Sequence, residues 1–243
     1  GGEPQALGAF PDDETALEQA VRAAMATSDM VVLSGGTSKG AGDLSHAIVS
    51  RLGKPGILVH GVALKPGKPL CLGVVDGKPI VVLPGFPTSA IFTFHAFVAP
   101  VIRARAGLAP ETAQTVSARV PMRIASELGR KEFVLVSLIQ SDEGPVAFPT
   151  GKGSGSVTSF SQADGFLEIE ALAASLDADS MAQVTLIGSA ARAPDLVIMG
   201  SHDVALDLVV GALATRGFLA RTLAVGSLGG VAAAGRGECD IAP

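Results

Sequence analysis

The run Met30-Val31-Val32-Leu33, entered from Asp29 and running straight into Ser34-Gly35-Gly36, most limits what this chain can fold into. A short apolar run that lies between helical segments and is bounded by glycines reads as a strand buried on both faces of a parallel sheet. The helix before it covers about residues 14–26, with apolar positions recurring at three and four. A helix near Leu44–Leu52, strands near Gly56–Val59 and Pro79–Leu83, and a helix from about Thr88 to Ala106 continue the alternation. This implies an α/β domain with a doubly wound, mostly parallel sheet over residues 1–110.

From about Thr112 to Ile187 the period changes to two. The segments 116–120, 133–138, 146–148, 166–169 and 183–187 are separated by glycines and acidic turns. Short strands at regular intervals predict a small β-barrel or sandwich, here residues 111–188. After Ala193-Pro194 the α/β rhythm returns. A strand at 195–199, the loop Gly200-Ser201-His202-Asp203, a helix to about Arg216, a strand at 222–225, the loop Gly226-Ser227-Leu228-Gly229-Gly230 and another helix make a partial α/β region, residues 193–243. The chain enters its first helix almost at once and stops where a strand is starting, so both ends are expected to be cut ends of a longer protein.

Apolar residues are 48% and charged ones 17% of the 243 residues, a globular balance, and no run approaches the roughly 20 apolar residues of a membrane span. A soluble, cytoplasmic protein without a membrane partner is expected. The net charge of −5 argues against a broad nucleic-acid surface but leaves room for a local lysine cluster around one anion. Cys71 and Cys239 have no Cys-x-x-Cys spacing, which points to neither a disulfide framework nor zinc. His46, His60, His95 and His202 have no metal-ligand spacing and read as packed or surface side chains.

Three loops carry the chemistry. Ser34-Gly35-Gly36-Thr37-Ser38-Lys39-Gly40-Ala41-Gly42-Asp43 follows a strand and precedes a helix, where backbone N–H groups cradle an anion. It is neither a Walker A loop nor a Gly-x-Gly-x-x-Gly dinucleotide loop, which disfavours a nicotinamide-dependent oxidoreductase. It could equally be a turn that lets helix and strand pack. Lys65-Pro66-Gly67-Lys68-Pro69 reads as a type II turn centred on Pro66-Gly67, with two lysines held beside it as point charges for phosphate or molybdate. Leu83-Pro84-Gly85-Phe86-Pro87-Thr88-Ser89-Ala90 is a second strand-to-helix loop, with Pro87 suited to the first turn and Thr88 or Ser89 to the cap. Loops of this kind converge at the carboxyl ends of sheet strands. Asp12-Asp13 opens the first helix and Asp43 precedes the second. Each could be a cap, and each could serve Mg²⁺, which takes one or two carboxylates plus substrate phosphates.

Together these three ordered motifs resemble the MoeA and gephyrin E-domain family. Related adenylyltransferases share the fold, but their loop typically reads Thr-Gly-Gly-Thr-Gly, without the Ser-x-Gly-x-x-Asp continuation present here. Gly129-Arg130-Lys131-Glu132-Phe133, Gly153-Ser154 and Ala163-Asp164-Gly165-Phe166 resemble the signature of that family's small barrel, so the likeness covers about residues 1–188.

The resemblance implies a molybdopterin molybdenumtransferase: adenylylated molybdopterin and molybdate give molybdenum cofactor and AMP. Asp12 and Asp43 would hold Mg²⁺, and Lys65 and Lys68 would act on the anion. Ser34, Gly35, Gly36, Thr37, Ser38, Gly40, Pro84, Gly85 and Pro87 would bind substrate, and Ser154 would come from the barrel of the other copy in a homodimer. Bacterial relatives often have Pro-Gly-Asn-Pro where this chain has Pro84-Gly85-Phe86-Pro87. The family's Ser/Thr-Thr-Gly-Asp-Glu loop and two N-terminal domains are absent, so the chain is expected not to turn over by itself. Residues 193–243 resemble the periplasmic-binding-protein-like domain fused to some MoeA-type enzymes. The alternatives are a non-catalytic pterin or oxyanion binding module and the related molybdopterin adenylyltransferase activity.

Overall fold

The computed structural model describes residues 2–35, 44–150, 160–161, 163–188 and 194–243. It divides into two compact units, one built mainly from the residues up to Thr112 together with Gly129–Glu132, the other from Ala113–Leu128 and most of the chain after Phe133.

In the first unit, α1 (Glu14–Thr27) starts at Asp13, whose side chain accepts the Ala16 N–H at 2.7 Å. Such a cap answers one of the orphan donors of a first helical turn. There follow β1 (Val31–Ser34), α2 (Leu44–Leu52), β2 (Pro55–His60), β3 (Leu64–Lys65), β4 (Cys71–Val75) and β5 (Lys78–Leu83). The main sheet has the order β1-β5-β4-β2, with β1 and β5 parallel and the other two pairings antiparallel. The mostly parallel sheet expected from the α/β rhythm is therefore a mixed one. The physical reason is Asp76-Gly77, both at left-handed φ (50° and 81°), which close a two-residue hairpin between β4 and β5. A turn that short can only reverse the chain, whereas a parallel neighbour needs a crossover.

Both faces of this sheet are nevertheless covered. Ile80 and Val82 of β5 pack with Val21 of α1 and Ile48 and Val49 of α2. Val81 and Leu83 point the other way and pack with Leu70 and Val98. This is the period of two that a strand imposes, and each fully buried Val, Leu or Ile contributes roughly 1.5–3 kcal/mol. The long helix expected at 88–106 is α3 (Pro87–Thr93), a π-helical turn at Phe94–Val98 and α4 (Ala99–Arg105). Pro100 has no N–H and would crowd an ordinary preceding turn. The widened turn, in which Ala99 N–H reaches the Phe94 carbonyl, accommodates it.

In the second unit come β6 (Thr115–Arg119), β7 (Ile124–Ala125), β8 (Lys131–Ser141, whose first two residues belong to the first unit), β9 (Gly144–Pro149), β10 (Gly165–Ile169), β11 (Ser175–Leu176) and β12 (Met181–Leu186). The order β10-β12-β6-β9-β8, closed by pairing of β10 with β8, makes a five-stranded barrel. Its filling includes Ala118, Val120, Val136, Ala147, Leu167 and Val184, all essentially inaccessible. Closure removes the exposed edges that a sheet this small would otherwise carry.

The C-terminal part belongs to the same unit. β13 (Leu196–Gly200) pairs in parallel with β14 (Ala220–Ala224), with α5 (Val204–Ala214) between them and α6 (Ser227–Gly235) after them. Ile241 bridges to Ile198 in parallel on the other edge of β13. Val197, Met199 and Ala233 share a core with Ile139, Val146 and Phe148 of the barrel. Among the described residues no helix is long and apolar enough to cross a membrane.

Candidate functional site

The first and third loops meet at the carboxyl ends of β1 and β5. Ser34 is in register with Leu83, the Gly35 N–H donates to the Leu83 carbonyl at 3.1 Å, and the Ser34 hydroxyl donates to the Pro84 carbonyl at 3.4 Å. A Cβ built on Gly85 would lie 3.4 Å from the Gly35 Cα. Gly35 has φ +99°, a conformation that only glycine adopts without strain. Its amide extends the ladder, so what Gly35 leaves open at this junction is close backbone approach and not its N–H. Gly36, Thr37, Ser38, Lys39, Gly40 and Asp43 lie outside the described residues.

Beside this junction is a cleft of about 660 Å³, lined among others by Phe10, Asp12, Ser34, Gly35, Leu44 and Ser45. It thus brings Asp12 to the residues that flank the glycine loop on both sides. The two neighbouring aspartates divide their work: Asp13 is engaged as the helix cap, while exposed Asp12 faces the cleft.

The lysine loop is a turn over residues 66–69 that continues past Gly67, with a hydrogen bond from Leu70 N–H to the Gly67 carbonyl at 3.2 Å. Pairings on both sides of it fix its ends. Gly61 and Val62 donate to the Leu70 and Lys68 carbonyls, while Leu64 and Lys65 form β3 alongside Lys131 and Glu132. Gly67 has φ +126°, and a Cβ there would stand 2.5 Å from Thr93 Cγ2, so this loop is seated against α3. Lys65 Nζ lies 3.1 Å from Glu132 Oε1, a carboxylate that is 5% exposed. Lys68 is exposed. The two lysines are therefore not an equivalent pair: one is already matched by a buried acid, which the sequence motif Gly129–Phe133 contained without showing its partner.

The expected capping by Thr88 or Ser89 is also corrected. The N-cap is Phe86, with no side-chain cap, Pro87 opens the helix, and Thr88 and Ser89 are buried inside its first turn. Pro87 occupies its anticipated position because its missing N–H would be an orphan there in any case. The Thr88 hydroxyl is buried without a hydrogen-bond partner among the described residues.

Ser154 lies outside the described residues. Asp164 accepts the Leu138 N–H at 2.7 Å and is clasped by Arg221, whose Nη2 lies 2.9 Å from Oδ1. Glu238, 1% exposed, is held by Arg119 and by Arg236, the latter through contacts of 2.9 and 2.6 Å. Burial raises its pKa, but the hydrogen bonds from Arg236 and Arg119 outweigh burial and hold the carboxyl below its ordinary range. These arginines carried no motif and could not have been singled out from sequence.

The strand-ending loops of the C-terminal part come together, with Ser201 Oγ 2.8 Å from Ser227 Oγ. Asp203 caps α5 through the Ala205 N–H at 2.6 Å, and His202 Nε2 lies 3.1 Å from the Asp207 carboxylate. His46 and His60 stack at 4.1 Å. Among the described residues no cluster of three or more His, Cys, Asp or Glu side chains could hold a metal ion.

Comparison with known proteins adds a family to this geometry. Residues 1–104 match the model of a probable molybdopterin binding domain, and residues 117–187 match that of the MoeA C-terminal region, domain IV. A putative molybdopterin biosynthesis protein of Methanocaldococcus jannaschii is 31% identical over 158 residues, covering 65% of this chain and 36% of its own length. A molybdopterin molybdenumtransferase of Haemophilus influenzae is 30% identical over 167 residues, covering 68% of this chain and 41% of its own length. The chain thus spans about two fifths of the length of these relatives. A crystal structure of the molybdopterin biosynthesis MoeA protein from Pyrococcus horikoshii superposes with a TM-score of 0.59 at 39% identity, covering 72% of this chain and 41% of that one. Loops converging at β1 and β5, a five-stranded barrel and both matching models agree: the chain belongs to the MoeA family.

Proposed function

We propose that this chain carries the sheet domain and barrel of a molybdopterin molybdenumtransferase, acting in molybdenum-cofactor biosynthesis to insert molybdate into adenylylated molybdopterin with release of AMP. The observation that carries this reading is the junction of Gly35 with Gly85 beside a cleft that also holds Asp12. An anionic substrate is taken up where glycine lets backbone approach and where α2 and α3 begin. The relatives' names supply the reaction.

Magnesium fits the donor set. Asp12 offers hard carboxylate oxygens facing the cleft, and Asp43, at the far end of the glycine loop, offers a second carboxylate by the family pattern. When bound, the ion neutralises pyrophosphate charge. The chain's own groups do the remaining work. Lys68 presents an exposed ammonium to the oxyanion, while Lys65, paired with Glu132, sets the position of the lysine loop. Pro84, Gly85 and Pro87 hold the third loop rigid against the first, so that positioning and electrostatics are in place before substrate arrives.

The same reading places the protein in the cytoplasm as a homodimer, with Ser154 of each barrel serving the other copy. It also takes residues 194–243 as the start of a binding-protein-like domain. What supports this is the parallel β13-α5-β14-α6 order and the meeting of Ser201 with Ser227 at the strand ends.

The test is release of AMP from adenylylated molybdopterin, measured on the full-length protein that contains this chain, with and without molybdate and magnesium. Release that requires both is expected. Tight binding without release would overturn the transferase reading and leave a pterin-binding module.

A further inference from the structure

We propose that Phe86 is a specificity-determining residue, its exposed ring being the stacking face for the planar heterocycle of a phosphate-bearing ligand held at the Gly35–Gly85 junction. This rests on the functional reading above and goes beyond it by assigning recognition of the ring to one side chain.

Two features of Phe86 run against what folding alone would select. Phe86 is 60% exposed, the most exposed of the described phenylalanines, ahead of Phe218 at 52% and Phe10 at 42%. Leaving a phenyl ring in water forgoes its burial free energy. Phe86 is also the N-cap of α3 and supplies no side-chain cap, at a position where Ser, Thr, Asp or Asn would stabilise the helix. Its place explains both. It follows Gly85, whose backbone touches Gly35, so its Cα lies within about 9 Å of the Gly35 Cα, given 3.8 Å between consecutive Cα atoms. Its backbone is fixed at φ −78° and ψ 128°, between Gly85 and Pro87, and its carbonyl accepts the Ala90 N–H at 2.9 Å. A ring carried on so constrained a backbone offers a flat apolar face at little entropic cost. Stacking of a base on an aromatic side chain is worth about tenfold or more in affinity and tolerates any planar heterocycle. A pterin and an adenine share that chemistry.

The experiment titrates the purified chain, F86L and F86Y with pterin-6-carboxylate, AMP, inorganic phosphate and molybdate by calorimetry, after checking that all three melt at the same temperature. F86L should weaken pterin-6-carboxylate or AMP about tenfold, F86Y should stay within about twofold of the unsubstituted chain, and phosphate and molybdate should bind all three alike. The ring probe that responds identifies which heterocycle stacks. Equal binding of both ring probes by F86L, or anions bound without either ring probe, overturns the role of Phe86 and leaves the anion site standing. A parallel loss of phosphate and molybdate in F86L also overturns stacking, because the side chain then shapes the loop. If no probe binds the unsubstituted chain, the reading of the site fails and this inference with it.

Discussion

Asp12 and Asp13 are neighbours in sequence with separate duties: Asp13 accepts the Ala16 N–H at 2.7 Å as the cap of α1, and Asp12 faces the cleft beside Ser34 and Gly35. Asp13→Ala is expected to cost about 1 kcal/mol of stability. Asp12→Asn should melt like the unsubstituted protein and lose magnesium-dependent AMP release, as should Asp43→Asn, since asparagine caps a helix about as well as aspartate. Thermal melts of the chain and AMP assays of the full-length protein at limiting magnesium separate the two duties. Full activity in both Asn variants would remove the magnesium role of Asp12 and Asp43.

The lysines should divide in the same manner. Lys68→Ala is expected to weaken molybdate binding with a change in stability within about 0.5 kcal/mol, because its side chain is exposed. Lys65→Ala should lower both, since it removes a partner 3.1 Å from the buried Glu132 carboxylate. Chemical denaturation alongside molybdate titration checks this, and identical behaviour of the two variants would refute the distinction.

Gly67→Ala meets a steric wall and an unfavourable φ of +126° together, with the new Cβ 2.5 Å from Thr93 Cγ2. A loss of about 1–3 kcal/mol is expected. Adding Thr93→Ser removes the offending methyl and should recover part of that loss, leaving the backbone strain. A double variant no more stable than Gly67→Ala would show that the contact is not the cause.

Glu238 gives the second unit a pH dependence of known sign. Its folded pKa is held below the ordinary carboxylate range, although burial alone would raise it, because Arg236 and Arg119 donate to it. Its contribution is therefore complete above the unfolded value near about 4.3 and is lost as pH falls through the lower folded value. Glu238→Gln should cost about 3–5 kcal/mol at neutral pH, and the gap from the unsubstituted protein should narrow in acid. Denaturation curves at pH 7 and pH 3 test this; an equal gap at both would assign the loss to packing.

The sequence alone determined where the strand-to-helix loops lie, because glycine, proline and buried apolar runs act locally: Ser34-Gly35 and Pro84-Gly85 end β1 and β5, and Pro87 opens α3. It also determined the barrel strands, through alternation of period two. The Asp76-Gly77 hairpin was legible in principle, since that dipeptide is a strong turn signal, yet the α/β rhythm around it pointed to a parallel sheet. What only the tertiary structure decided are the partnerships between residues far apart in the chain. Gly85 against Gly35, Gly67 against Thr93, Glu132 beside Lys65 and Arg221 on Asp164 depend on which elements lie side by side. Local propensity and periodicity contain no information about such neighbours, because a side chain's charge or volume acquires its role only when packing supplies the partner that neutralises or touches it.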